Sequence, residues 1–204
     1  MNRNSQWHGK GALNVCWSVS KIKMLSQELN GRVFSFQTFR MDPHSSWRPP
    51  DYGHVKINAD AAWNARTRRA GVGCVGRNEA GHVLFAWADF KDSVSSVVEA
   101  EMWALKLAMS VAERLELRKV QFESDCANVV DMVLLGGPIR SDKVRGDVLD
   151  CHTFLGRNHQ WRIDLILREG NSVADKLAKK AKEEAWSWTE LQSIPICLAN
   201  FVQE

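Results

Sequence analysis

Four carboxylates in this sequence stand out by type and placement: Asp60, Glu101, Asp125 and Asp175. Carboxylate oxygens are the ligands that hard divalent cations take, so acids gathered from separate elements point to Mg²⁺ or Mn²⁺. Two such cations side by side can activate a water and stabilise the leaving oxygen of a phosphodiester. Each acid also has an ordinary explanation. Asp60 suits a turn that closes a strand. Asp125 stands where a strand gives way to a helix, and an N-cap there stabilises by about 1 kcal/mol. Asp175 falls in the first turn of a helix, where it complements the helix dipole. Glu101, on an inward helix face, needs a cation to meet it, and Lys56 is the candidate partner. No single acid compels a site. The set is more persuasive, because two acids end neighbouring strands, one faces inward from a helix on the sheet, and one opens another helix.

Periodicity supplies the elements that must position them. In VKINADAAW (55–63), Val55, Ile57 and Ala59 alternate with Lys56, Asn58 and Asp60, which predicts a half-buried strand over 54–62 with Asp60 at its end on the polar face. The turn NARTRR, the strand AGVGCVGRN, the turn EAG and the strand HVLFAWADF follow; connections this short make an antiparallel meander. A helix runs from Ser95 or Ser96 to Leu115. On it, Glu101 shares a face with Ala104, Leu105 and Ala108, and Glu99 shares one with Trp103, Lys106 and Ser110, so Glu101 is the acid predicted to turn inward. KVQFES is a fourth strand, with Gln121, Glu123 and Asp125 on one face. Two helices follow, one stopped by Gly136 and Gly137 and one opened by Ser141 or Asp142. HQWRIDLILRE is a fifth strand, and NSVADKLAKKAKEEA a helix capped by Asn171. The order β-β-β-α-β-α-α-β-α implies an α/β fold with a mixed five-stranded sheet.

HSSWRPPDYG (44–53) marks a boundary, since its prolines, serines and glycine continue neither a helix nor a central strand. We therefore expect an N-terminal extension over 1–46, a domain over 47–185 and a C-terminal tail over 186–204. Within the extension, SKIKMLSQEL suits a short helix and RVFSFQTF a short strand, without a complete core. Five scattered cysteines with no C-x-x-C pair argue against a disulfide framework and a zinc site, and for reduced thiols inside a cell. No apolar run approaches the ~20 residues of a membrane span, and no continuous apolar h-region marks a secretory signal. The net charge of +3 is uneven, with +5 on residues 1–50 and −2 on the rest. A nucleic-acid surface on the domain therefore has to be local, and RTRR, with Arg66 and Arg68, is the candidate. Trp63 and Trp87 read as sheet packing rather than as stacking platforms.

KINADAAW, GVGCVGRNEAGHVL, VVEAEMWAL, VQFESDCANVV and LREGNSVADKLAK together resemble the type 1 ribonuclease H domain, in the plant reverse-transcriptase-like form of non-LTR retroelements and their stand-alone relatives. The resemblance covers about Trp47 to Ala185. It implies a ribonuclease H-like fold and endonucleolytic cleavage of RNA in RNA–DNA hybrids, leaving 5′-phosphate and 3′-hydroxyl ends. It implies two Mg²⁺ ions, replaceable by Mn²⁺, held by Asp60, Glu101, Asp125 and Asp175. A monomer acting on hybrid, with no membrane partner, is the expectation.

Two departures bear on catalysis. The glycine usual after the first aspartate is Ala61 here. The loop that carries a histidine in bacterial-type enzymes reads LREGN, so Arg168 is its candidate replacement, and Leu165 and Leu167 stand where His and Pro are usual in plant members. His159 lies at the wrong end of the strand to serve. The altered end of the fifth strand and the modest charge keep open a catalytically silent, nucleic-acid-binding domain of retroelement origin, and the weak pattern of residues 1–43 keeps open an inert remnant.

Overall fold

Glycine, alanine and valine dominate the strand segments at the centre of this protein, and the structure shows why: helices lie directly on both sides of them. The computed structural model describes residues 46–190. The expected helix and strand of the N-terminal extension lie outside the described residues. The elements are β1 (Val55–Trp63), β2 (Ala70–Arg77), β3 (Val83–Lys91), α1 (Val97–Arg114), β4 (Val120–Ser124), α2 (Ala127–Leu135), α3 (Asp142–Arg157), β5 (Trp161–Leu165), a 3₁₀ turn (Arg168–Asn171), α4 (Ser172–Glu184) and β6 (Trp188–Glu190). The sheet order is β5-β4-β1-β2-β3-β6. β1, β2 and β3 form the antiparallel meander, and β4 and β5 join parallel to β1. The mixed five-stranded sheet is therefore as read from the sequence.

Three details differ from expectation. β6, in the segment read as the start of a tail, pairs antiparallel with β3 and lengthens the sheet. β5 ends at Leu165, because Ile166 and Leu167 lead into the 3₁₀ turn. β1 is not half-buried: Lys56, Asn58 and Asp60 are 3%, 1% and 5% exposed. Its central place in the sheet covers both faces, so alternation marks two differently lined interiors rather than core and solvent.

One face carries the main core, where Ile57, Val72, Phe122, Met102, Leu105 and Trp161 pack together beneath α1 and α3. The Phe122 and Trp161 rings meet edge-on, 5.2 Å apart, and burying each contributes about 2–3 kcal/mol. On the other face α4 packs on β2, β1 and β3. A Cβ on Gly73 would sit 2.5 Å from Leu177 Cβ, and one on Gly71 would sit 2.3 Å from Ala178 O. Glycine at those points is what lets α4 lie against the strand backbone. Gly73 is the register partner of Asp60, so this close approach also brings the start of α4 over Asp60. No helix among the described residues is long and apolar enough to cross a membrane.

Candidate active site

Pairing between the parallel strands β1 and β4 runs through Asn58 and Glu123, and Asp60 and Asp125 each come two residues later. Asp60 is not a terminal turn residue. β1 continues to Trp63, paired only with β2, and Asp60 sits where the neighbour on its other side has stopped. The mouth outside the carboxyl ends of parallel strands is where open α/β sheets present their sites.

Asp125 does not cap α2; Cys126 holds the N-cap position and makes no side-chain cap bond. Asp125 Oδ1 instead accepts from Asn171 Nδ2 at 3.0 Å. The same amide donates to the Ala59 carbonyl, also at 3.0 Å. Asn171 occupies the N-cap position of α4 without a side-chain cap bond. This corrects the capping role read from sequence, where a capping Asn and one turned inward look alike. Asn171 ties β1 to the β4–α2 junction, and its own buried Oδ1 finds no partner.

The choice between Glu99 and Glu101 rests on partners, not on burial. Glu99, on the more polar face of α1, is 4% exposed. Its carboxylate accepts from Ser95 N at 3.0 Å and from Lys143, while Ser96 Oγ caps the Glu99 N–H. Burial works against its charge, but the Lys143 and Ser95 bonds hold Glu99 below the usual glutamate range. It is a neutralised helix-end residue. Glu101 has no such account. Lys56 is not its partner, because that ammonium lies 2.6 Å from Glu123 Oε1. Glu101 Oε2 is buried with no hydrogen bond.

The electrostatics draw the acids together. Burial, then the charges of Asp125 and Asp175, push the Asp60 carboxyl up to about 8, against the pull of the Ala61 N–H and Arg168. Burial, then Asp60 and Asp125, raise Glu101 well above the ordinary range, opposed by the same two groups. Arg168 therefore acts on both, with its guanidinium exposed and 3.8 Å from Asp175 Oδ1. Asp175, on the first turn of α4, also accepts from Lys179 Nζ at 2.6 Å. The cysteine beside the site offers no nucleophile, since burial pushes the Cys126 thiol up to about 12.

As oriented, the acids do not form a closed cage; among the described residues no group of three His, Cys, Asp or Glu is arranged to hold a metal ion. Their chemistry nonetheless fits a hard divalent cation. An orphaned buried Glu101 oxygen, an orphaned Asn171 oxygen and raised carboxyls are what an oxygen-ligand site shows without its cation. At the rim, Arg68 sits in the β1–β2 turn and donates to Ser95 Oγ at 3.1 Å, beside the N-cap of α1. Arg66 is exposed in the same turn. Trp63 and Trp87 pack in the interior clusters as expected, and Trp63 Nε1 donates to Val94 O at 2.9 Å.

A meander, two parallel strands and acids at their carboxyl ends make this a ribonuclease H-like domain. The structure is similar to ribonuclease H1 from Halobacterium salinarum, with a TM-score of 0.60, 21% identity and coverage of 64% of this chain and 98% of that one. It is similar at a TM-score of 0.59 and 19% identity to LC11 ribonuclease H1, from a compost metagenome, solved in complex with an RNA/DNA hybrid, over 64% of this chain and 98% of that one. The model of the family described as reverse transcriptase-like matches residues 58–181, and the chain belongs to that family. An Arabidopsis thaliana protein named "Putative ribonuclease H protein" is 27% identical over 168 residues, 81% of this chain. The chain spans about a quarter, 26%, of that relative's length.

Proposed function

We propose that the domain over 47–185 hydrolyses the RNA strand of RNA–DNA hybrids. The observation that carries this reading is the acidic corner: a buried Asp60 and a Glu101 whose buried Oε2 has no hydrogen bond, both raised, beside Asp125 at the open end of two parallel strands. Buried charges are costly unless matched, and Arg168, 3.8 Å from Asp175, opposes the rise of these two only in part. The names of the Arabidopsis relative and of the similar structures support the substrate class.

Asp60, Glu101, Asp125 and Asp175 would hold the divalent cations, Mg²⁺ or Mn²⁺. When bound, these would supply an activated water and charge stabilisation for the leaving oxygen of the phosphodiester. The chain's own contribution is positional and electrostatic. Asn171 keeps Asp125 turned toward Asp60. The close approach of α4 over Gly73 delivers Asp175. Arg168 offsets negative charge next to Asp60 and Glu101 and replaces the loop histidine of bacterial-type enzymes. Arg68 and Arg66 at the rim meet phosphates, and 2′-hydroxyls read across a minor groove select RNA.

The deciding measurement is Mg²⁺-dependent cleavage of a labelled hybrid by wild type, Asp60→Asn and Asp125→Asn. Cleavage by the wild type alone is expected; equal activity in all three would sink the assignment. A second reading, a domain that binds nucleic acid without cutting, draws on one observation: Lys179 already occupies Asp175. Hybrid binding with no cleavage in Mg²⁺ would select it.

A further inference from the structure

The segment leading into β1 crosses the sheet on the α4 side, at the end that α4 leaves bare. Trp47 Nε1 donates to Asn58 Oδ1 at 2.9 Å. Asn58 Nδ2 passes the connection to Glu123 Oε2 at 2.9 Å. Lys56 closes the ring, 2.6 Å from Glu123 Oε1 and donating to the Arg48 carbonyl at 2.8 Å. The indole lies under two cations, with Arg77 Cζ 4.7 Å and Lys56 Nζ 5.7 Å from ring centroids. The strap is thus bonded to β1 and, through Asn58, to β4 at the pair in register, two residues ahead of Asp60 and Asp125.

Its third contact is with the loop before α4. A Cβ on Gly170 would meet Trp47 N and Cα at 3.8 and 3.9 Å, so strap and loop backbones lie against each other. Gly170 stands between Arg168 and Asn171, the two loop residues that act on the acids. Trp47 therefore touches β1 and the loop before α4 directly, and β4 through Asn58.

We propose that Trp47 is a positioning residue for the acidic corner: its indole pins β1, and through Asn58 β4, while its backbone seats the Arg168–Asn171 turn. The inference rests on the divalent-cation reading of Asp60, Glu101, Asp125 and Asp175. Trp47→Phe keeps the ring under Arg77 and Lys56 but strands the Asn58 oxygen; Trp47→Ala removes both. Side chains that orient metal ligands typically change metal affinity 10- to 100-fold.

The test compares wild type, Trp47→Phe, Trp47→Ala and Asp60→Asn, in two readouts on the full chain. The first is the Mg²⁺ concentration giving half the maximal rise in melting temperature. The second is kcat and KM for hybrid cleavage. Trp47→Ala should need about 10-fold more Mg²⁺ and lose about 10-fold in kcat, with hybrid KM within about twofold, and Trp47→Phe should fall between. A wild-type Mg²⁺ midpoint in Trp47→Phe and in folded Trp47→Ala overturns the proposal, as does a change confined to KM. Should Trp47→Ala not fold, the Trp47→Phe midpoint decides alone. A wild type that takes up Mg²⁺ but does not cleave removes the ribonuclease reading and leaves the midpoints to judge Trp47. A wild type with no Mg²⁺ response overturns both.

Discussion

Two groups of acids sit a few residues apart along the central strand, and they are built on opposite principles. Glu123 and Asp164 pair in register one step before the ends of β4 and β5, among Lys56, Asn58, Gln121 and Arg162. Lys56 and Asn58 bind the two oxygens of Glu123, and Gln121 and Arg162 meet Asp164 at 2.8 and 3.2 Å. Burial raises both carboxyls, and these partners pull them back. Asp60 lies two residues beyond the last β1–β4 pair, and around it and Glu101 burial and the neighbouring acids act in the same direction, with the Ala61 N–H and Arg168 opposing them only in part. The first network is neutral by itself and locks strand to strand. The second lacks matching partners within the chain, so its carboxyls hold their protons more tightly. Burial alone does not separate them; the identity of the neighbours does.

The contrast predicts opposite signs on mutation. Asp60→Asn should abolish Mg²⁺-dependent hybrid cleavage, a loss of about 10² to 10³-fold or more. The same change should stabilise the metal-free protein near neutral pH by about 2 kcal/mol, read as a higher midpoint in urea. In the other network Lys56→Met should do the reverse. It leaves Glu123 buried without its cation, which costs about 3 kcal/mol or more, and the loss of activity in the folded protein should be far smaller than that of Asp60→Asn. A destabilised Asp60→Asn would erase the distinction.

Much of this was legible in the sequence, for identifiable reasons. Element order and the inward face of α1 follow from apolar spacing, which burial enforces directly. Glu101 is chosen over Glu99 because motif order and face analysis agree on it. What was not legible is the identity of each polar side chain's partner. Lys56 was matched with Glu101 and is bonded to Glu123. Glu99 belongs to the more polar face of α1, yet it is buried and paired with Lys143. Asn171 was read as a cap and turns into the site. Spacing along one element fixes a direction, whereas pairing depends on which elements fold over it. The role of Trp47 has the same origin, since its partners are 11 residues along the chain at Asn58 and far away at Gly170.

The approach of α4 tests how tightly the acidic corner is held. Gly73→Ala puts a methyl into the backbone of α4 and should cost about 1–3 kcal/mol. Because α4 carries Asp175, the Mg²⁺ midpoint should rise as well. A loss of stability with an unchanged midpoint would mean that Asp175 is dispensable for the cation. The pH dependence sharpens the same comparison. The Asp60 carboxyl titrates at about 8 when folded and near ~4 when unfolded. Its neutral form favours the folded state at low pH, and that contribution disappears as the pH climbs toward about 8. Metal-free wild type should therefore lose stability between about pH 5 and pH 8, while Asp60→Asn follows a flatter curve and Mg²⁺ restores the wild type.

The smallest expected effect concerns the rim, where two arginines one residue apart repeat the contrast in miniature. Arg69 donates to Asp92 at 2.8 Å, so its charge is already matched. Arg68 is held by a neutral partner, the Ser95 hydroxyl, and keeps its charge unmatched there. Its backbone lies in the left-handed region at φ 57°, and its carbonyl accepts from Val94 N at 2.8 Å, which fixes where the side chain begins. A phosphate passing the start of α1 would thus meet Arg68 rather than Arg69. Arg68→Ala should weaken hybrid binding about threefold and lower the salt slope of log affinity by about one. Arg69→Ala should change neither and should cost at most about 1 kcal/mol of stability for a partly exposed pair. Equal salt slopes in the two variants would place the backbone contact elsewhere on the domain, and the matched-against-unmatched rule would then hold for the acids alone.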